Sequence, residues 1–432
     1  MHTITENTDV LVIGGGTAGT VAAIQAARAG VRTTLIEAEG QLGGTMTTGG
    51  VSCPGYFFAW ERQIIAGIGW ELVKTTKDLD GDPMPDFAHP PMVNDGFTPE
   101  TGRPSHYVPF NRHLYAVIAE EAALQAGVLL HYHEIAVEAK ARETGWIVTC
   151  IGKGIKREIR TRELIDCTGD AEVVGMLGFA REKSENRQPG TLQFWLTGYE
   201  TSQLDLPAIE ARYQQALQGG MLQPGDYAGV NDKQFSTFLH AHGRNAQHIF
   251  HADSTTSATQ TAANIAGRAS LLRLLRFTRT LPGCEQTSIS WMCADTAIRE
   301  SYRILGETCI TLDDYRSGRV FTDAVCWTLF FIDMHTESGG HKEFLPRGVV
   351  PTVPLSALVP RGSQRLLVAG RCLSSDRMAN SALRVQPSCM AMGQAAGAAA
   401  ALGVQLGTAS RDVPLPALRA LLREHQALVP ES

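Results

Sequence analysis

The sequence predicts an α/β protein with a nucleotide-binding part and an inserted α+β part, on three observations. Residues 9–37 read as a buried strand, a glycine turn, an amphipathic helix and a second strand ending in an acid. ELIDCTGDAEVVGMLG, from Glu163, repeats the strand, turn and helix start, with Gly169 at the turn and Asp170 beside it. QRLLVAGRC, from Gln364, is a buried strand running to Gly370 and Arg371, and Pro387 then opens a helix of small residues at the position where proline costs least.

The first segment carries the most chemistry. In VLVIGGGTAGTVAA, from Val10, Gly14 permits a tight turn, Gly16 lets backbone approach a pyrophosphate, and Gly19 lets the helix pack closely on the sheet. Thr17 and Ala18 open that helix, whose N-terminal amides offer donors to an anion. Glu37 lies about 20 residues past the glycines at a strand end, where a carboxylate accepts from ribose hydroxyls, and Ala38 follows it. The stretch from Gly40 is dense in glycine and threonine, too flexible for a helix, and reads as a second cofactor loop with Gly43, Gly44 and Thr45 at its centre.

Further along, residues 78–109 form a proline-rich excursion of the kind that covers an active site, bordered by His106, Tyr107 and Asn111 as candidate pocket residues. Helical spacing over 111–125 leads into a small β layer. The basic cluster there, Lys153, Lys156, Arg157, Arg160 and Arg162, is interleaved with Glu158 and Glu163 and reads as a solvated strand face. Residues 1–183 and 345–432 are assigned to the nucleotide-binding domain. Residues 184–344 are assigned to a substrate or cap domain with a helix over 255–275 and strands near Leu192 and Trp327.

Composition narrows the classes. With 432 residues and 44% hydrophobic content the chain is globular, and a net charge of −6 spread along it argues against nucleic acid or an anionic membrane as partner. The polar start shows no leader pattern, so a cytoplasmic protein is expected. The nine cysteines lack any CxxC or clustered spacing, which predicts reduced thiols and no metal or iron–sulfur site. The most apolar stretch, residues 390–402, falls short of the ~20 residues needed to span a bilayer and reads as a buried helix. Its Gly393 and Gly397 lie one turn apart, which permits close backbone approach along one face.

Taken together, VLVIGGGTAGTVAA, LGGT at Leu42, DCTGDAEVVGMLG at Asp166, IRESYRILGE at Ile298, IDMH at Ile332 and the long segment from Leu366 to the small-residue helix make the chain resemble the FAD-dependent oxidoreductases. The resemblance is to glutathione-reductase-like flavoproteins, the group that holds the flavin part of heterodisulfide reductase. It implies a Rossmann-like FAD-binding domain of glutathione-reductase type with an inserted α+β substrate domain, and FAD as the cofactor. It also implies that the C-terminal segment, with Arg384, Val385, Gln386 and Met390, wraps the isoalloxazine. There the helix after Pro387 would aim its dipole at the flavin N1 and C2 carbonyl. The iron–sulfur cysteine runs of heterodisulfide reductase are missing, and no second GxGxxG unit follows a strand. Electrons must therefore come from a substrate or an outside partner.

Candidate chemistry lies in two further strings. In TLFFIDMH, strand alternation puts Phe331, Asp333 and His335 on one face, so a carboxylate can orient an imidazole as a general base. A metal reading with His341 as third ligand is poorer, because the intervening loop fixes no geometry. In AIRESYRILG, helical spacing brings Arg299 and Arg303 onto one face that invites an anion, with Glu300 able to pair with Arg303. Cys53 follows the second loop, where a thiol would either react or fill space. The expectation is an FAD-dependent oxidoreductase acting on a small secondary alcohol or similar C–H donor by hydride transfer to flavin N5, with Asp333, His335, Arg299 and Arg384 at the reacting end. The alternatives are a reductase or flavin-dependent lyase using a protein electron partner, and a non-catalytic flavin-binding component of a complex. The electron acceptor and homo-oligomerisation are left open.

Overall fold

The computed structural model describes residues 1–87, 107–228, 234–337 and 339–431. At its centre is a five-stranded parallel sheet in the order Leu366–Val368, Glu163–Asp166, Val10–Ile13, Thr33–Glu37, Leu129–Tyr132. The three inner strands are buried at every position, the acids Glu37, Glu163 and Asp166 included, because both faces of the sheet are covered. Strand alternation divides them cleanly. Val10 and Val12 point into a core shared with the helices Thr17–Arg28 and Gln386–Leu406, while Leu11 and Ile13 meet Trp146, Val148 and Ile159 of a second sheet. That second layer has the order His2–Asn7, Ile155–Thr161, Gly145–Gly152, Glu134–Arg142.

The small-residue helix is longer than the apolar stretch that announced it. Its 21 residues, Gln386–Leu406, are long and apolar enough to cross a membrane by length and composition, yet most of them are buried in this core. The close approach falls against the first helix: a Cβ on Gly393 would stand 2.2 Å from the Ala18 carbonyl oxygen, and one on Gly397 would stand 2.3 Å from that of Ala22.

A separate core lies within residues 192–293. Leu192, Phe194 and Leu196 of the strand Thr191–Thr197 pack on Tyr213, Phe235, Phe238, Leu274 and Phe277, carried by Leu206–Gln218, Phe235–His240 and Ser257–Thr278. Ile249, Ala252, Ala263 and Ile298 form a small cluster, Ile304 joins the core between the two sheets, and from Ile310 onward the chain rejoins the main core, where the strand Ala324–Trp327 packs.

Several local expectations change. Residues 298–307 are a turn and the short strand Tyr302–Ile304 rather than a helix, because the segment pairs with Arg181–Lys183. The glycine-rich second loop contains a short 3-10 turn, Gly44–Met46. Arg157 is buried instead of solvated, paired with Glu134 at 2.9 Å and Glu6 at 3.1 Å. Asn111 caps the helix Arg112–Gln125, its side-chain oxygen accepting from the amides of His113 and Leu114. His106 and most of the proline-rich excursion lie outside the described residues.

Candidate active site

A cleft of about 1050 Å³ runs along the carboxyl ends of the parallel strands, the place where open α/β sheets take ligands. Gly14, with φ +96°, makes the turn after the first strand, where a Cβ would stand 2.6 Å from the Cys167 carbonyl oxygen. Gly16 is different, since the nearest protein atom to an added Cβ would be the Gly44 Cα at 3.9 Å. Its missing side chain keeps the cleft open rather than relieving a clash. No side chain caps the helix that follows, and Gly16, Thr17 and Ala18 stand on the cleft wall. Glu37 ends its strand there. One of its carboxylate oxygens accepts from the Gly15 amide at 2.6 Å and the other from Glu39 at 2.7 Å, and burial pushes its pKa up despite them. Ala38, Gly44, Thr45, Gly169, Gly370, Arg371, Arg384, Val385 and Gln386 also line the cleft.

Four residues expected at the cofactor stand behind the wall instead. Gly19 is a packing residue, since a Cβ would lie 1.8 Å from the Gly14 carbonyl oxygen. Gly43 donates its amide to the Gly15 carbonyl at 2.9 Å and so braces the two loops. Asp170 accepts from Arg371 Nη2 at 2.7 Å and from Ser254 at 2.8 Å, which turns it inward. Met390 packs on Gly69, because one residue past Cys389 the helix has rotated away from the cleft.

At the far end stands the hairpin Ile332–Thr336 and Gly339–Glu343. His335 Nε2 lies 2.9 Å from Asp333 Oδ2, both line the cleft, and both sit near Phe330, Phe331, Arg299 and Arg384 on its wall. Burial pushes the Asp333 carboxyl up, but the His335 hydrogen bond and the charges of His335, Arg384 and Arg299 outweigh it, so the group stays below the usual aspartate range. An ionised Asp333 can only accept a hydrogen bond, so Nε2 carries the hydrogen and the lone pair is left on Nδ1. Burial, reinforced by Arg299 and only partly offset by Asp333, holds His335 below the ordinary histidine pKa. His341 lies opposite Met334 in the hairpin, on the other face from Asp333 and His335, and bonds Glu343 at 3.3 Å, which removes the geometry for a shared metal.

Arg299 and Arg303 part company. Arg299 lines the cleft and donates to the Pro189 carbonyl at 2.5 Å, while Arg303 turns to Glu182 at 2.9 Å and Glu300 at 3.3 Å. Cys53 opens onto the cleft as a protonated thiol, its pKa pushed up to about 11 by burial. Tyr107 is on the wall, and Asn111 is not.

Sequence reading missed several neighbours of the pair. Gln188 accepts through Oε1 from the His335 amide at 3.3 Å and from Arg384 Nη2 at 3.2 Å. The His248 ring meets His335 edge-on with centroids 5.0 Å apart, and burial together with Arg299 and His335 lowers its pKa to about 3, so it stays neutral. Gln193 and Trp195 were within reach of a pattern: in TLQFWLT Leu192, Phe194 and Leu196 are core apolars, while Thr191, Gln193 and Trp195 between them line the cleft.

No curated protein matches the chain. Among solved structures, a geranylgeranyl bacteriochlorophyll reductase-like protein from Thermoplasma acidophilum aligns at 14% identity and TM-score 0.44, over 97% of this chain and 83% of that one. The OxyS anhydrotetracycline hydroxylase from Streptomyces rimosus aligns at 13% and 0.44 over 97% and 66%, and the p-nitrophenol 4-monooxygenase PnpA from Pseudomonas putida DLL-E4 at 12% and 0.40 over 99% and 85%. A sequence model of FAD dependent oxidoreductases matches residues 9–422, and the chain belongs to that family.

Proposed function

We propose that this FAD-dependent oxidoreductase oxidises a small organic substrate, a secondary alcohol or similar C–H donor, at the Asp333–His335 end of the cleft. The observation that supports it is the 2.9 Å pair of a neutral, buried imidazole with an ionised carboxylate. The residues fit FAD: an uncapped helix start and the open face of Gly16 suit a pyrophosphate, Glu37 a ribose, and the wall from Glu134 to Ala136 an adenine. The Val385 end of the second uncapped helix lies on the same wall, which favours the glutathione-reductase-like arrangement. When bound, FAD supplies a two-electron acceptor that takes the hydride of the substrate C–H bond at N5. His335 Nδ1 takes the hydroxyl proton, so the substrate carbon leaves as a carbonyl, and Asp333 is the positioning residue that fixes the tautomer. Arg384, bonded to Gln188 and to the Asp333 carbonyl at 3.3 Å, holds the strand in place.

The test is anaerobic mixing of the FAD-loaded protein with secondary alcohols, sugar alcohols, glycosides and hydroxy acids, following the visible flavin band. Bleaching is expected. Its rate falls as pH drops through the His335 pKa, because a protonated ring takes no proton, and the midpoint lies below the ordinary value of about 6.5. A band that no donor bleaches, or a rate indifferent to acid, overturns the proposal.

Cofactor retention gives a separate check. Glu37→Ala is expected to weaken FAD binding roughly 10-fold or more, the scale of a lost hydrogen bond to a charged group. Glu37→Gln keeps an acceptor for the Gly15 amide and should fall between, read by equilibrium dialysis of the flavin. Equal retention by Glu37→Ala would mean the ribose is held elsewhere.

A further inference from the structure

The reacting end of the cleft has an imbalance of charge that the hydride chemistry does not require. Arg244, Arg299 and Arg384 line it, against Asp333 as the acidic group beside His335. Asp333 is already engaged by His335 and, at 3.7 Å, by Arg384. Among the described residues, neither Arg244 nor Arg299 has a carboxylate within ion-pair distance. The oxygens that Arg299 bonds among the described residues are neutral, the Pro189 carbonyl at 2.5 Å and Asn245 Oδ1 at 3.3 Å. Asn245 follows Arg244 in the chain, so this contact ties the two arginine-bearing segments together.

Arg244 is presented with some effort. Its φ is +43°, a left-handed backbone that side-chain-bearing residues avoid, fixed by its amide on the Phe194 carbonyl at 3.0 Å. Such strained residues gather where function needs a side chain in one place. Its guanidinium lies 4.4 Å over the Trp195 ring, which is itself stacked on His242 with centroids 4.5 Å apart. Stacking occupies the face of a guanidinium and leaves its N–H edge, the edge that matches a planar carboxylate.

Resting on the proposed oxidation, we infer that the substrate carries a carboxylate, and that Arg244 and Arg299 seat it so that the carbon to be oxidised lies at His335. The substrate class is then a hydroxy acid rather than a neutral polyol. The apolar part of that acid faces Tyr56, Phe330 and Trp195 on the same walls.

The experiment uses the FAD-loaded protein and unreactive probes. Oxalate and benzoate are titrated against the visible flavin spectrum and tryptophan fluorescence, beside oxamide, benzamide and inorganic phosphate. Saturable binding of the carboxylates is expected, with the amides at least roughly 10-fold weaker, the scale of lost charge-assisted hydrogen bonds. Arg244→Gln should weaken carboxylate binding by a similar factor with FAD content and Tm unchanged, and Arg244→Lys should restore part of it. Should Arg244→Gln lose its fold, the comparison of carboxylate with amide on the parent protein still decides. Failure of both carboxylates to bind, equal binding of amides or of phosphate, or an unchanged affinity in a folded Arg244→Gln overturns the inference. The two readings separate cleanly. Carboxylates that bind while no hydroxy acid bleaches the flavin keep the anion site and remove the oxidation. Neutral alcohols that bleach it without carboxylate binding do the reverse.

Discussion

His335→Gln is expected to keep bound FAD and the parental Tm, yet to lose substrate-dependent flavin reduction by a factor on the order of 100 to 10,000, the usual contribution of a general base. Glutamine fills similar space and its amide can still bond Asp333, so the strand Ile332–Thr336 has no reason to move. What disappears is a nitrogen lone pair that can carry away a proton. Asp333→Asn should fall in the same direction by a different route: it keeps the shape but no longer demands a proton on Nε2, so the ring is free to take the wrong tautomer. The acid limb separates the two roles. Asparagine also removes the one partner that raises the His335 pKa, so the midpoint of the residual rate should move further down, whereas His335→Gln should have no such limb. Stopped-flow reduction at a series of pH values reads both. If both variants reduce flavin at the parental rate, the pair is structural and the base lies elsewhere on the wall.

The parts of this molecule written in consecutive residues were legible. The turn at Gly14 and Gly16 and the acid at Glu37 are one strand–helix–strand unit, so local spacing carried their placement on the cleft wall. Asp333 and His335 are two apart in a strand, and a period of two is enough to put them together. The misreadings came where a pattern fitted the wrong element. Arg299 and Arg303 have helical spacing, but the chain turns at Glu300 to pair as a strand, so one arginine enters the cleft while the other joins a buried ion network. Gln188 and His248 gave no signal, because each comes from a loop far in sequence from the hairpin and only tertiary packing brings it to His335, and Arg244 reaches the cleft wall from another such loop.

The same packing argument gives the second large effect. The cradle helix is held by the helix Gln386–Leu406, whose Gly393 meets its first turn at Ala18 and whose Gly397 meets the next at Ala22, and the nearest atoms in the way of a side chain are backbone carbonyls rather than flexible tips. A contact of 2.2 Å has no rotamer that relieves it, so Gly393→Val must push two buried helices apart. Overpacking of this kind costs roughly 1–3 kcal/mol in cores that can adjust, and more where the obstruction is main chain. Ala18 belongs both to that contact and to the cleft wall, so the displacement reaches the amides proposed above to hold the pyrophosphate. Gly393→Val is therefore expected to lower Tm and to release FAD together, and Gly393→Ala to do the same to a smaller degree, since the Cβ alone already meets the carbonyl. Urea denaturation with and without added FAD, alongside flavin content after gel filtration, measures both. A Gly393→Ala protein with parental stability and full FAD would show that these helices do not touch as described.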